Sequence, residues 1–288
     1  MSKQKCNIII TKVTDKSKKF NKFYGNVVMK KISLSMVLIL LMVALSSCDF
    51  IDNENSNETS SEKKIKQSFN KSLEMYPIKN LEDFYDMEGF RDGEFNKNDK
   101  GTWILYSEMA IREKKDEDLV DKGMVLRINR NTKKSEGEYT IRNINGSDKN
   151  KIKSNEKSYP VKMVNNQIIP TKPINDVKVE EEIKNFKFFV QYASFRDLDS
   201  YGLGNFDYNP NVPSYSAEYQ LLNDDYNVIQ LRKRYEIPTD KAPKLILKGV
   251  GDFKGSSVGY ETLEIEFERN NEISIYFSDL VDFQPSGE

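Results

Sequence analysis

The chain has 288 residues, of which 31% are charged, 38% hydrophobic and 11% aromatic, enough to build a real core around a polar surface. It has no histidine, and its only cysteines are Cys6 and Cys48; the commonest general base and metal ligand are therefore absent, and no internal disulfide or cysteine zinc site is expected. The formal charge of -1 hides a split: residues 1–47 carry nine lysines and one acid, and the rest carries 44 acids against 35 bases, which argues against nucleic acid or anionic lipid as a partner drawn by the overall field.

Residues 1–28 hold seven lysines and no long apolar run, and they read as a dispensable N-terminal extension ahead of Met29. Residues 29–47 read as a secretory signal. Met29-Lys30-Lys31 is the basic segment, and the apolar stretch that ends at Leu45 is too short to span a bilayer. Leu45-Ser46-Ser47-Cys48 has the pattern of a lipobox, with small residues that fit a peptidase site and a thiol that takes the diacylglycerol. Cys48 is thus the expected lipidation site, and two chains on one glycerol give stable membrane anchoring. Residues 48–61 form an acidic, Asn- and Ser-rich tether, and residues 62–288 form a single extracytoplasmic domain.

Within that domain, Ile65, Phe69, Leu73 and Tyr76 recur at helical spacing, and a second short helix is expected from Asn80. From Thr102 the period falls to two, and turns near Asn131, Asn145-Gly146 and Asn165-Asn166 predict a four-stranded antiparallel meander. Val179, Ile183, Phe186, Val190 and Ala193 predict one long helix. A Gly- and Pro-broken loop follows, then a strand from Tyr215 to Leu221, a helix from Asp224 to Tyr235, and strands around 245–247, 263–267 and 273–277. The expected fold is α+β, an antiparallel sheet with helices on one face, in an order that leaves open two similar helix-then-strands halves. Leu263, Ile265 and Phe267 should face the core while Glu264, Glu266 and Glu268 face water.

No catalytic constellation emerges, and no cofactor or metal is expected. The Asn96–Ser107 segment resembles a calcium loop but has Lys100 and Ser107 where acidic ligands belong. Gly249–Gly259 lacks the Gly-Lys-Ser/Thr core of a phosphate loop and reads as a hairpin connection. The scattered acids read as surface charge. Tyr201, Tyr208 and Tyr215, spread through the broken loop, form a candidate contact surface, with a loop pinned onto the sheet as the competing reading.

Several stretches together carry a resemblance: Tyr76–Asp86 running into Gly89–Phe95, Asn185–Phe189, Asn211–Tyr215, Ile237–Pro243 and Lys254–Tyr260, behind the lipobox. In this order they resemble the staphylococcal tandem lipoproteins, a family of paralogues. The resemblance implies a surface lipoprotein of a Gram-positive cell, associated with immune stimulation through the lipid and with host-cell contact, and it brings no catalytic residues. Two functional readings stand: an interaction protein contacting a host-cell or envelope partner, and a small-ligand or lipid-binding receptor with a cavity between sheet and helices.

Overall fold

The computed structural model describes residues 59–91, 95–145, 153–251 and 261–286. The expectations for residues 1–28, the signal segment, Leu45, Ser46, Ser47, Cys48, most of the tether and the loop after Gly251 fall outside them. The described residues belong to one compact unit.

Helix α1, Ser60–Leu73, takes in the last two residues of the expected tether. Thr59 accepts from the Glu62 amide while the Glu62 carboxylate takes the Thr59 amide, a reciprocal pair that satisfies two otherwise orphaned donors. A 3-10 turn at Leu81–Tyr85 follows, capped by Asn80. Five strands then form a meander: β1 Thr102–Arg112, β2 Leu119–Asn129, β3 Lys134–Asn145, β4 Lys153–Val164 and β5 Gln167–Pro170. The expected Asn165-Asn166 turn, with φ of 50° and 59°, joins β4 to β5, so this meander has five strands where four were expected.

Helix α2, Val177–Asn185, is shorter than its periodicity predicts. The chain leaves it at Phe186 and makes a 3-10 turn at Phe189–Gln191. Phe188 and Phe189 then enter two different hydrophobic clusters. A turn at Leu198–Tyr201 leads into β6 Asn205–Asn209 and β7 Ser214–Gln220, then helix α3, Tyr226–Arg234, and strands β8 Lys244–Val250, β9 Glu261–Arg269 and β10 Ser274–Gln284.

All ten strands lie in one antiparallel sheet of order β5-β4-β3-β2-β1-β10-β9-β8-β7-β6. The first five strands run from the centre to one edge, and the last five return from the other edge to the centre. Both meanders are therefore laid down in the same direction, each behind a helix, and the first strand pairs with the last. The sheet outweighs the helices, so the architecture is α+β with β dominant.

Two clusters form the core. Ile65, Phe69 and Leu73 of α1 and Val228 and Leu231 of α3 pack with Ala217, Tyr219, Leu247, Leu263, Ile265 and Phe277. Val179 and Ile183 of α2 and Leu81 and Phe84 pack with Trp103, Leu105, Leu126, Tyr139 and Val281. Every sheet residue in these clusters lies on the same side of its strand, in agreement with the pairing register. On β9 the inward set is Leu263, Ile265 and Phe267, while Glu264, Glu266 and Glu268 alternate with them, half-buried.

Candidate functional site

The strand residues that alternate with the core set make up the second face of the sheet. Register lines up one row across it: Lys244, Glu266, Tyr276, Ala110, Asp121, Arg142 and Glu156 stand directly opposite one another on seven successive strands. Opposite charges side by side hold parts of this row. Arg142 donates to Asp121 at 3.3 Å and to Glu156 at 2.9 Å, and Arg269 bridges Glu264 at 2.9 Å and Glu266 at 3.2 Å while lying 3.9 Å from the centre of the Tyr276 ring.

The middle of the row is less balanced. Glu108, two residues before Ala110 on the same face, is only 8% exposed, and Asp121 only 3%. Glu108 stands opposite Gly123, where a Cβ would come within 2.7 Å of the Glu108 Cβ. The missing side chain lets Glu108 lie down against the sheet. Arg142 thus serves three carboxylates: Asp121, Glu156 and Glu108. Burial, and then the Glu108 charge, push the Asp121 carboxyl up to about 7 against the pull of Arg142. Glu108 is raised as well, chiefly by burial, with a hydrogen bond from Tyr106 working the other way. The Asp121 Oδ1 is buried without a hydrogen-bond partner.

A second polar cluster lies inside the core. Asp279 on β10 accepts from Ser107 at 2.5 Å and from the Tyr76 hydroxyl at 2.8 Å, and Ser107 accepts from the Phe189 amide at 3.0 Å. Nearby, the Glu261 Oε1 accepts from Ser68 at 3.0 Å and from Tyr215 at 3.1 Å. Burial raises both carboxyls to about 7, against the pull of these donors. A cavity of about 20 Å³, room for one water, adjoins Glu261, lined also by Ser72, Tyr76, Thr262 and apolar neighbours. A larger groove, about 420 Å³, runs beside the sheet edge between β5 and the end of α2, lined by Gln167, Ile168, Ile169, Lys184, Asn185, Phe186 and Lys187.

The three tyrosines expected at the contact surface do not share one. Tyr215 is 6% exposed and belongs to the core, its hydroxyl bonded to Ser68 at 3.1 Å and to Glu261. Tyr201 is half-buried, with its ring 6.1 Å from that of Tyr219 and beneath the Arg196 guanidinium at 4.9 Å. Tyr208, on the edge strand β6, is the exposed one, at 38%. The pinned reading of the aromatic segment holds because its ends are paired strands and not a free loop. The calcium-loop resemblance also has a structural explanation. Asp99 takes the Gly101 amide, the Asn131 side chain and the Ser286 amide at 2.7–2.8 Å, so its carboxylate ties the entry of β1 to the β2–β3 turn and the C-terminal segment. Burial opposes its charge, but these donors outweigh it and hold the carboxyl down at about 2. Among the described residues, no group of three or more acids or thiols is placed to hold a metal, and no helix is long and apolar enough to cross a membrane.

The open-face cluster was not legible in sequence, because Glu108, Asp121, Arg142 and Glu156 sit on four strands and only register brings them together.

Comparison with known proteins places the whole folded part in one family. The model of the Csa1 family matches residues 61–286. The chain is 56% identical over 257 residues to Uncharacterized lipoprotein SERP2465 of Staphylococcus epidermidis, covering 89% of this chain and 97% of that one. It is equally similar, with the same coverage, to Uncharacterized lipoprotein SACOL2497 of Staphylococcus aureus strain COL. Against Uncharacterized lipoprotein SAS2373 of S. aureus strain MSSA476 the identity is again 56%, over 89% of this chain and 93% of the relative. These matches span the stretches on which the family resemblance rests, and the chain belongs to the Csa1 family of staphylococcal lipoproteins.

Proposed function

We propose that this chain is a surface lipoprotein, anchored through lipid on Cys48, whose folded module works by contact with a protein partner on the cell envelope or on a host cell. The relatives' naming as lipoproteins supports the anchor, together with the lipobox at Leu45-Ser46-Ser47-Cys48. The contact face in this reading is the sheet face turned away from the helices. The observation that carries it is the Glu108–Asp121 pair: two largely buried carboxyls on the helix-free sheet face, with the partly exposed Arg142 shared among three acids. Such a site gains from an incoming lysine or arginine side chain, which would complete the charge balance that the fold leaves short.

The test has two arms. Cys48→Ala should stay uncut, take up no lipid and leave the membrane fraction; normal lipidation of this variant would sink the anchor. Glu108→Gln with Asp121→Asn, displayed on cells, should lose salt-sensitive adhesion to host cells while melting no lower than wild type. Unchanged adhesion would place the contact elsewhere.

A second reading, a small-ligand receptor, is favoured by the 420 Å³ groove beside α2, although its lining mixes Lys184, Lys187, Asn185 and Gln167 with Ile168, Ile169 and Phe186. Native mass spectrometry of lipoprotein released gently from cells would reveal a retained small molecule if that reading holds.

A further inference from the structure

Leu203 is the most exposed large apolar side chain among the described residues, with its whole surface open to solvent. It stands between Gly202 and Gly204 just before β6. Gly202 has φ of +86°, a conformation that side chains with a Cβ rarely adopt, and a Cβ there would meet nothing within 4 Å. Gly204, in contrast, packs closely against the Tyr219 and Phe206 rings, so the turn is seated on the domain at one end and open at the other, with a leucine at its tip.

Its position is fixed by α1. The turn just before it, Leu198–Tyr201, is tied to the second and third turns of that helix: Lys66 reaches Asp199 at 2.6 Å, and Asn70 holds Asp197 at 3.2 Å and the Leu198 amide at 2.9 Å. On the far side, Lys66 lies 5.6 Å from the ring of Phe206. Leu203 is thus bracketed by two segments that both touch Lys66, which lies seven residues into α1 from the Thr59 cap, a rise of about 10 Å. Thr59 is the eleventh residue after Cys48, so the contour between them cannot exceed about 40 Å even when fully drawn out. A lipid on Cys48 therefore keeps this end of α1 within about 40 Å of the bilayer. Exposed Lys63 and Lys64 flank it on the helix.

We infer that the Gly202-Leu203-Gly204 turn is a membrane-contact finger, inserting Leu203 into the bilayer surface beside the module's own lipid anchor and so fixing the orientation in which the rest of the domain is presented. The inference rests on the Cys48 anchor. A single leucine adds little affinity alone, but beside a diacyl anchor it needs only to orient a module already held there.

The experiment uses the mature lipoprotein carrying Leu203→Cys, reconstituted into phosphatidylcholine–phosphatidylglycerol vesicles and labelled with an environment-sensitive fluorophore. With Cys48 acylated, position 203 holds the only free thiol. A second protein carrying Val177→Cys, exposed on α2, serves as reference. Both should float with vesicles; the label at 203 should shift to the blue and be quenched severalfold by spin-labelled lipid, and the label at 177 should not. Equal, water-like emission from both with flotation intact overturns the finger and leaves the anchor standing. Failure to float overturns the anchor and the finger with it. A label that is water-like on vesicles but shielded on intact cells assigns Leu203 to a protein partner and also overturns the proposal.

Discussion

Ser107 on β1 and Asp279 on β10 stand directly opposite each other where the first and last strands meet, and their side chains share a 2.5 Å hydrogen bond inside the core. Tyr76 completes the carboxylate's contacts from the chain segment after α1. All the groups that bond Asp279 here are neutral; the charged groups that approach this pocket include the carboxylate of Glu261. The fold thus closes its two meanders on a buried carboxyl with neutral hydroxyl partners, and folding favours the protonated form.

The sign of the pH effect follows. The carboxyls of Asp279, Glu261 and Asp121 lie near 7 in the folded state, above the ordinary 3.8–4.5. The folded protein then binds more protons than the unfolded chain between about pH 4 and pH 7, so stability is greatest at the acid end of that window and falls as pH rises through it. A shift of three units has a ceiling of about 4 kcal/mol per fully buried group. The melting temperature should therefore be several degrees higher at pH 5 than at pH 8. Asp279→Asn should narrow that difference, losing more stability at pH 5 than at pH 8. A flat wild-type profile across the window would show that these carboxyls stay ionised.

On the open face the prediction concerns repulsion. Glu108 raises the Asp121 carboxyl through space, so Glu108→Gln should lower the Asp121 titration midpoint while its amide oxygen still accepts from Tyr106. Carboxyl-carbon NMR titration reads this directly. The same variant should melt higher than wild type at pH 8 and gain less at pH 5, where Asp121 already holds its proton. An unmoved Asp121 midpoint would mean that burial alone sets it.

Much of the fold was legible in local patterns. The alternation Leu263/Ile265/Phe267 against Glu264/Glu266/Glu268 marks a strand with two unlike faces, and the Asp225 cap with Val228 and Leu231 marks α3. Two features escaped for identifiable reasons. Strand β6, Asn205–Asn209, sits at the sheet edge with only Phe206 partly covered, so it shows no usable period. The start of α1 lies in residues whose polar composition suggests a tether, although Thr59 and Glu62 hold the capping pattern. The open-face cluster depends on pairing among β1, β2, β3 and β4, which no local window contains.

The last prediction separates tyrosines that sequence alone grouped together. Tyr215 packs against Phe69 at a ring separation of 5.2 Å and bonds Ser68 and Glu261, so Tyr215→Ala removes a buried ring and leaves a cavity beside two polar groups that lose a partner. Its cost should be about 3–5 kcal/mol in unfolding free energy. Tyr215→Phe keeps the ring and should cost about 1 kcal/mol. Tyr208, exposed at the sheet edge, should change stability by less than about 1 kcal/mol when cut to Ala. Urea midpoints of the three variants should rank in that order, with Tyr215→Ala lowest. If Tyr208→Ala and Tyr215→Ala unfold together, the edge of the sheet is packed more tightly than its exposure indicates. If the expected ranking holds, any loss of adhesion in a Tyr215 variant reflects unfolding, and among the three only Tyr208 can be tested cleanly as a contact residue.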